Sequence, residues 1–346
     1  TMPARSYLVP NLNMTVAGGG ATPEQIRDLQ RDLRALGYLR GGIDGAFGPG
    51  TAFAVKALQN DLMTNDGTGP DGTAPVKIKD YNKGRVSGAT GIVNFGLAQC
   101  ISEMLDDPNI PALPKAADPV AENRKIVPTL QAMPSPAVPI PFLLGILMQE
   151  SGLKHFSEPP AGDQDTYIVV GLDTNAADKT VVTSRGYGAG QYTLFHHPPR
   201  PEEVTDFMLD VTKNVSKAIR ELRDKFDHFI VGPTSGTQAD DRIAEIGRGP
   251  LRICKYAATD PRYMKDCRQC LKDAGTVDIQ SGLTTLHPKT TETYQPTQYH
   301  SSGSYRGVPN RAQVGCDWPY AVRRYNGSGL NSHHYQVKVH LHMTKA

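Results

Sequence analysis

The chain has 346 residues, enough for about two domains, with 37 basic and 35 acidic side chains and a net charge of +2. With 38% hydrophobic and 21% charged residues it can bury a sizeable core, which excludes a disordered or low-complexity chain. No apolar run is long enough to span a bilayer, and the near-balanced charge gives no reason to expect nucleic acid as a partner.

In chain order, residues 1–20 end in Gly18-Gly19-Gly20 and read as a tail or linker. Residues 1–10 lack the basic-then-apolar pattern of a secretory signal. Thr22 and Pro23 then suit a helix start, and Ile26, Leu29, Leu33 and Leu36 form one stripe that Gly37 closes. A turn-rich loop, Gly41 to Thr51, follows, and Thr51 is expected to cap a second helix bearing Ala54, Val55, Leu58 and Leu62. A polar, Gly-rich insertion over 64–91 precedes an apolar helix over 92–105. Cys100 lies in that helix and is expected to be a buried free thiol. Eight prolines between 108 and 139 predict a semi-stiff linker with one helical piece around 120–127.

Pro139 and Pro141 open the next helix and Gly152 stops it. Leu143, Ile146, Leu147 and Glu150 share one face of it, so the apolar face ends in a carboxylic acid. Desolvation there would raise the Glu150 pKa, as a general acid for glycosidic cleavage requires; a helix-end glutamate turned to solvent is the bland alternative. Residues 154–185 read as a polar, acid-rich loop with Glu158, Asp163, Asp165, Asp173 and Asp178. Asp173-Thr174-Asn175 with Asp178 lacks the glycine and final glutamate of a calcium loop and reads as a turn. The alternate glycines of Gly186-Tyr187-Gly188-Ala189-Gly190-Gln191-Tyr192 let backbone pass close to a ligand, and no strand is expected before them. A long helix carries Val204, Phe207, Met208, Val211, Val215, Ala218, Leu222 and Phe226.

A helix is expected over 239–247, and Tyr294, Tyr299 and Tyr305 either stack on sugars or pack their loop. Cys254, Cys267, Cys270 and Cys316 are expected to form two disulfides, with one tetrahedral zinc site or free thiols as the alternatives. The adjacent pairs His196-His197 and His333-His334 diverge on regular structure and are not expected to bind metal; no cofactor is expected. Trp318 to Gly329 reads as a short helix broken by glycines, and a last helix carries Tyr335, Val337, Val339 and Leu341.

Two resemblances organise these elements. The series Leu29-Gln30, Leu33, Leu36-Gly37-Tyr38, Ile43-Asp44-Gly45-Ala46-Phe47-Gly48-Pro49, Thr51, Ala54-Val55 and Leu58-Gln59 resembles the peptidoglycan-binding domain of many cell-wall hydrolases. Most of those positions read as structural, Asp44 included. Glu150-Ser151-Gly152, Gly188-Ala189-Gly190-Gln191 and Ala321 to Tyr325-Asn326-Gly327 together resemble the three motifs of goose-type lysozymes and soluble lytic transglycosylases. Here Ala189-Gly190 stands where those families have Leu-Met.

The resemblance implies a mainly α chain, with a small helical peptidoglycan-binding bundle and an α-rich lysozyme-like domain carrying irregular insertions. Its expected divisions are 1–20 tail, 21–107 peptidoglycan-binding domain, 108–135 linker and 136–346 catalytic domain. It implies Glu150 as general acid and Asp163 and Asp173, with Asp165 a close rival, as water-activating carboxylates. Gly188, Gln191, Tyr192, Tyr325 and Asn326 would bind substrate. The activity implied is a lysozyme (N-acetylmuramidase), with a lytic transglycosylase or a non-catalytic wall-binding protein as alternatives. The layout is similar to phage endolysins and type VI secretion effector lysozymes. That implies a monomer secreted or delivered to the periplasm or cell wall, with glycan strands as partner, a cognate immunity protein as a second one, and neither nucleic acid nor membrane.

Overall fold

A computed structural model describes residues 5–132, 138–228, 253–274, 314–327 and 330–345. The expected helix over 239–247 and Tyr294, Tyr299 and Tyr305 lie outside them, as do the side chains of His333 and His334. The described residues are rich in helix, with two small antiparallel sheets. Two compact units emerge: Thr1–Ile126 with Lys154–Asn214, and Val127–Leu153 with Val215–Ala346.

In the first unit α1 (Pro23–Ala35) starts at a Thr22/Gln25 capping box. Helix α2 (Pro49–Thr64) is capped by Gly48 rather than Thr51. Thr51 is instead buried, its hydroxyl accepting a bond from the Gln30 side chain at 3.1 Å. The same Gln30 amide donates to Asp44 Oδ1 and the Ala46 carbonyl and accepts from the Gly45 N–H, so one buried side chain shapes the whole turn. The 64–91 insertion forms a hairpin, β1 (Thr68–Gly69) and β2 (Gly72–Thr73), and a 3-10 turn before α3 (Phe95–Asp106). Cys100 is buried on α3.

Three expectations differ here. Residues 5–20, read as part of a tail, are not one: Tyr7 and Met14 belong to the core, and Met14 pairs with Val93. The proline-rich stretch is pinned, not a free linker. The Leu113 N–H bonds Ala35 O, Ala116 N–H bonds Thr166 O, and Ile168 N–H bonds Pro114 O. Its helical piece is split into α4 (Pro119–Asn123) and α5 (Ile126–Ala132). Residues 154–214, expected in the catalytic domain, pack with the N-terminal segment. The buried Arg34–Asp165 ion pair at 3.1 Å and the Arg185 Nε bond to Gly37 O at 2.8 Å join them.

This segment also carries a sheet where a loop was expected. Strands β3 (Val170–Thr174), β4 (Val182–Tyr187) and β5 (Tyr192–Leu194) run antiparallel in that order, with a register shift at Asp173/Thr174. After β5 come a single turn, α7 (Pro201–Glu203), a kinked segment and α8 (Val211–Phe226). The expected long helix is therefore broken before Val211.

In the second unit α6 (Ile140–Ser151) ends at Gly152 in the left-handed region, φ +64°. It packs along α11 (Leu330–Thr344), with α9 (Cys267–Asp273) and α10 (Trp318–Tyr325) alongside. Gly145 is where the two long helices approach: a Cβ there would lie 2.7 Å from Met343 Cγ and 3.0 Å from Val339 Cγ1. Phe142, Leu143, Ile146 and Leu147 fill the core with Trp318, Val337 and Val339. Trp318 stacks on Phe226 at 4.1 Å and donates its indole N–H to Ile253 O at 2.9 Å. All five cysteines are free thiols, so the two disulfides expected from the sequence are not formed here.

Candidate active site

Glu150 occupies the last turn of α6, half-buried, as the apolar stripe requires. Tyr335 of α11 donates its hydroxyl to Glu150 Oε1 at 2.8 Å. Burial and then the Glu150 charge push the Tyr335 hydroxyl well above its usual range, so it stays a protonated donor. Tyr325, at the end of α10, is raised the same way by burial and then by Glu150. The helix-end carboxyl thus sits near two neutral phenols, and Tyr335 is bonded to it. A carboxyl in such a setting can hold and release a proton beside a substrate oxygen. Asn326 caps α10 and is exposed. Glu150, Tyr325 and Tyr335 are brought together by α6, α10 and α11, all of the second unit. From the sequence, Tyr335 is placed on the last helix and given no role at the site; a partner 185 positions from Glu150 leaves no local signal.

Gly188, Gln191, Tyr192, Asp163 and Asp173 belong to the first unit. Gly188 does follow a strand, β4, which corrects the expectation that none precedes it. Its φ is +75°, and the turn is held by buried polar side chains. His155 Nδ1 accepts from the Ala189 N–H at 3.2 Å, and Nε2 faces Met208 O at 2.7 Å, which fixes the Nε2–H tautomer. Desolvation lowers the His155 pKa to about 4, so the ring is neutral and able to accept. Asn214 accepts from the Gly190 N–H and donates to Tyr187 O and Phe207 O. Gln191, at φ +50°, folds its side chain back and donates to Gly188 O at 2.9 Å. Its side-chain oxygen lies where a Cβ on Gly171 or Gly186 would fall, so a larger residue at either position would displace the Gln191 side chain. Tyr192 packs against Phe207 at 4.6 Å.

The three aspartates differ. Asp165 is buried against Arg34, so it serves the fold. Asp163 Oδ1 accepts from the Ile43 and Asp165 N–H groups and ties down a turn. Asp173 is exposed on β3, with Oδ2 accepting from the Ser184 hydroxyl at 3.1 Å. Among the described residues no group of three or more His, Cys, Asp or Glu is arranged to hold a metal ion. His196 and His197 do diverge: His196 bonds Asp71 and Glu203, whereas His197 packs edge-on to Tyr38.

On the 64–91 insertion an open depression of about 460 Å³ is lined by Lys77, Asp80, Tyr81 and Lys83, with Glu103 of α3. No helix of the described residues is long and apolar enough to cross a membrane. No curated protein and no solved structure matches the chain. Residues 22–65, which hold α1, the Gln30-bound turn and α2, match the family described as a putative peptidoglycan binding domain.

Proposed function

We propose that the chain is a cell-wall glycosidase that cuts the β-1,4 bond between N-acetylmuramic acid and N-acetylglucosamine, with Glu150 as general acid. The observation that carries this reading is the Tyr335–Glu150 bond at the end of an apolar helix. The peptidoglycan-binding match supports association with the wall and peptidoglycan as partner. Protonation of the glycosidic oxygen by Glu150 starts either outcome. Water then gives a reducing muramic acid, the favoured result, with Asp163 or Asp173 as the base; attack by the muramic C6 hydroxyl gives an anhydro end. Gly188, Gln191, Tyr192, Tyr325 and Asn326 are assigned to substrate binding. Delivery to the periplasm or wall, and an immunity protein as a second partner, belong to the same proposal.

Purified sacculi digested with the full chain, and the muropeptides weighed by mass spectrometry, test it. Glu150→Gln keeps the shape but cannot donate the proton, and turnover is expected to fall at least ~100-fold with an unchanged circular dichroism spectrum. Near-normal release by that variant removes Glu150 from catalysis. The second reading is a wall-binding protein without catalysis, favoured by the match at 22–65, which carries binding and no chemistry. Under it, the full chain pellets with sacculi and releases no muropeptide.

A further inference from the structure

Four of the five cysteines converge in the second unit. Cys254, Cys267, Cys270 and Cys316 line one cavity with Phe142, Val314 and Trp318. Its free volume is about 20 Å³, room for roughly one water and no organic ligand. The four come from three stretches of chain: the segment before Tyr256, helix α9, and the turn into α10. Their sulfurs are near enough to act on one another electrostatically: Cys267 feels Cys270 and Cys254, Cys270 feels Cys254, and Cys316 feels Cys267 and Cys254. Cys254 is partly exposed, and its Sγ accepts the Tyr256 and Met264 N–H groups at 3.5 Å each, which fixes the sulfur. The Lys255 ammonium beside Cys270 opposes the effect of burial on that thiol. Cys100, by contrast, stands alone in the first unit, its thiol directed at Asn82 O.

We propose that this cluster is a modification site: on exposure to a small-molecule or protein disulfide, the four thiols close into two disulfides. Each bond ties one cysteine of α9 to one flanking cysteine, Cys254 or Cys316. Regular helix spacing disfavours a bond within α9. Cys267 and Cys270 are three residues apart, where Cβ atoms stand about 5–6 Å from one another. A disulfide spans roughly 3.5–4.5 Å between Cβ atoms, so closing C-x-x-C would distort the first turn of α9. Formation follows thiol–disulfide exchange. Cys254, one of the two partly exposed thiols, loses its proton and attacks one sulfur of the oxidant. The oxidant's S–S bond breaks and one thiol leaves with that proton. The α9 cysteine then attacks the mixed disulfide and releases the second thiol. Each protein disulfide therefore forms as two thiols are oxidised and one external disulfide is reduced to two thiols. The Cys316 bond forms by the same two steps.

The experiment uses the full chain treated with oxidised glutathione, then denatured and alkylated without reductant. One alkylated cysteine, Cys100, is expected, against five after reduction. Trypsin cuts after Arg268 and so separates Cys267 from Cys270. In the unreduced digest peptides 266–268 and 269–272 should each be found joined to 253–255 or 312–323. Five alkylated thiols, or persistent glutathione adducts, overturn the proposal. So does one equivalent of bound zinc with five thiols counted after chelation. A Cys267–Cys270 linkage overturns the pairing.

Discussion

The Glu150 helix and the Gly188–Gln191 turn are held in place by different means. Around Glu150, α6 and α11 meet mainly through apolar side chains and a close approach at Gly145, with the buried His340 ring edge-on to Phe142, and Tyr335 reaches the carboxylate. Around Gly188, the backbone is held by polar groups with little or no exposure: His155, Asn214 and, deeper in the same unit, Arg34 with Asp165 and Arg185 on Gly37 O. Apolar packing tolerates small losses; a buried polar network fails when one member is left unsatisfied. That difference sets the size of effect expected at each place.

The largest effect is expected at Asp165→Ala. It leaves the Arg34 guanidinium buried without its carboxylate, at a cost of about 3–5 kcal/mol. Denaturant unfolding, followed by a probe in the first unit, should move by that amount. A loss under 1 kcal/mol would mean that the polar scaffold is not what holds this unit.

Next in size is a pH effect. The His155 folded pKa is about 4, below its ordinary 6.5. A histidine depressed in the fold contributes stability that is present above pH 6.5 and lost as pH falls toward 4. The gap corresponds to about 3 kcal/mol. His197, also lowered by burial, acts in the same direction. Asp32, raised to about 6 by burial, acts in the opposite direction, so the His155 contribution is read as a difference: from pH 6.5 to 4 the parent should lose more stability than His155→Gln does. An unchanged slope would show that His155 is not held neutral by the fold.

The same contrast explains what could be read in advance. Helices α1, α2, α3 and α6 were legible because their cores are apolar stripes at helical spacing, and Gly152 stopped α6 where a left-handed C-cap was needed. Strands β3 to β5 were not, because Gly171, Asp173, Arg185 and Gly186 break any alternation of apolar and polar residues. Arg34 and Asp165 are 131 residues apart, and nothing local marks them as partners. Nor could the 5–20 segment be seen as core, since Tyr7 and Met14 contribute single side chains without a period. Glu150 was legible as the end of a stripe; its bond to Tyr335, 185 positions on, was not.

Gly188→Ala tests the turn itself, with a smaller expected cost. At φ +75° an alanine is strained, and its Cβ would fall 2.7 Å from Asn214 Nδ2 and closer still to the His155 ring. Both neighbours are hydrogen-bonded and buried, so they cannot give way cheaply. The expected loss is about 1–3 kcal/mol in the first unit. A variant as stable as the parent would mean that the His155–Asn214 clamp is loose.

The smallest effect is expected at Tyr335→Phe, and it separates stability from chemistry at Glu150. Removing one hydroxyl from an apolar helix contact costs about 0.5–1.5 kcal/mol, because the ring still fills its place. The chemical consequence follows from the direction of the bond. The phenol donates to Oε1, which favours the ionised carboxylate. Without it Glu150 should hold its proton to higher pH. A general acid works protonated, so the alkaline limb of the pH–rate profile reports its pKa. That limb should move upward, the direction set by the lost bond. A fall in rate with the limb unmoved would leave Tyr335 as packing and require another group to set the Glu150 proton.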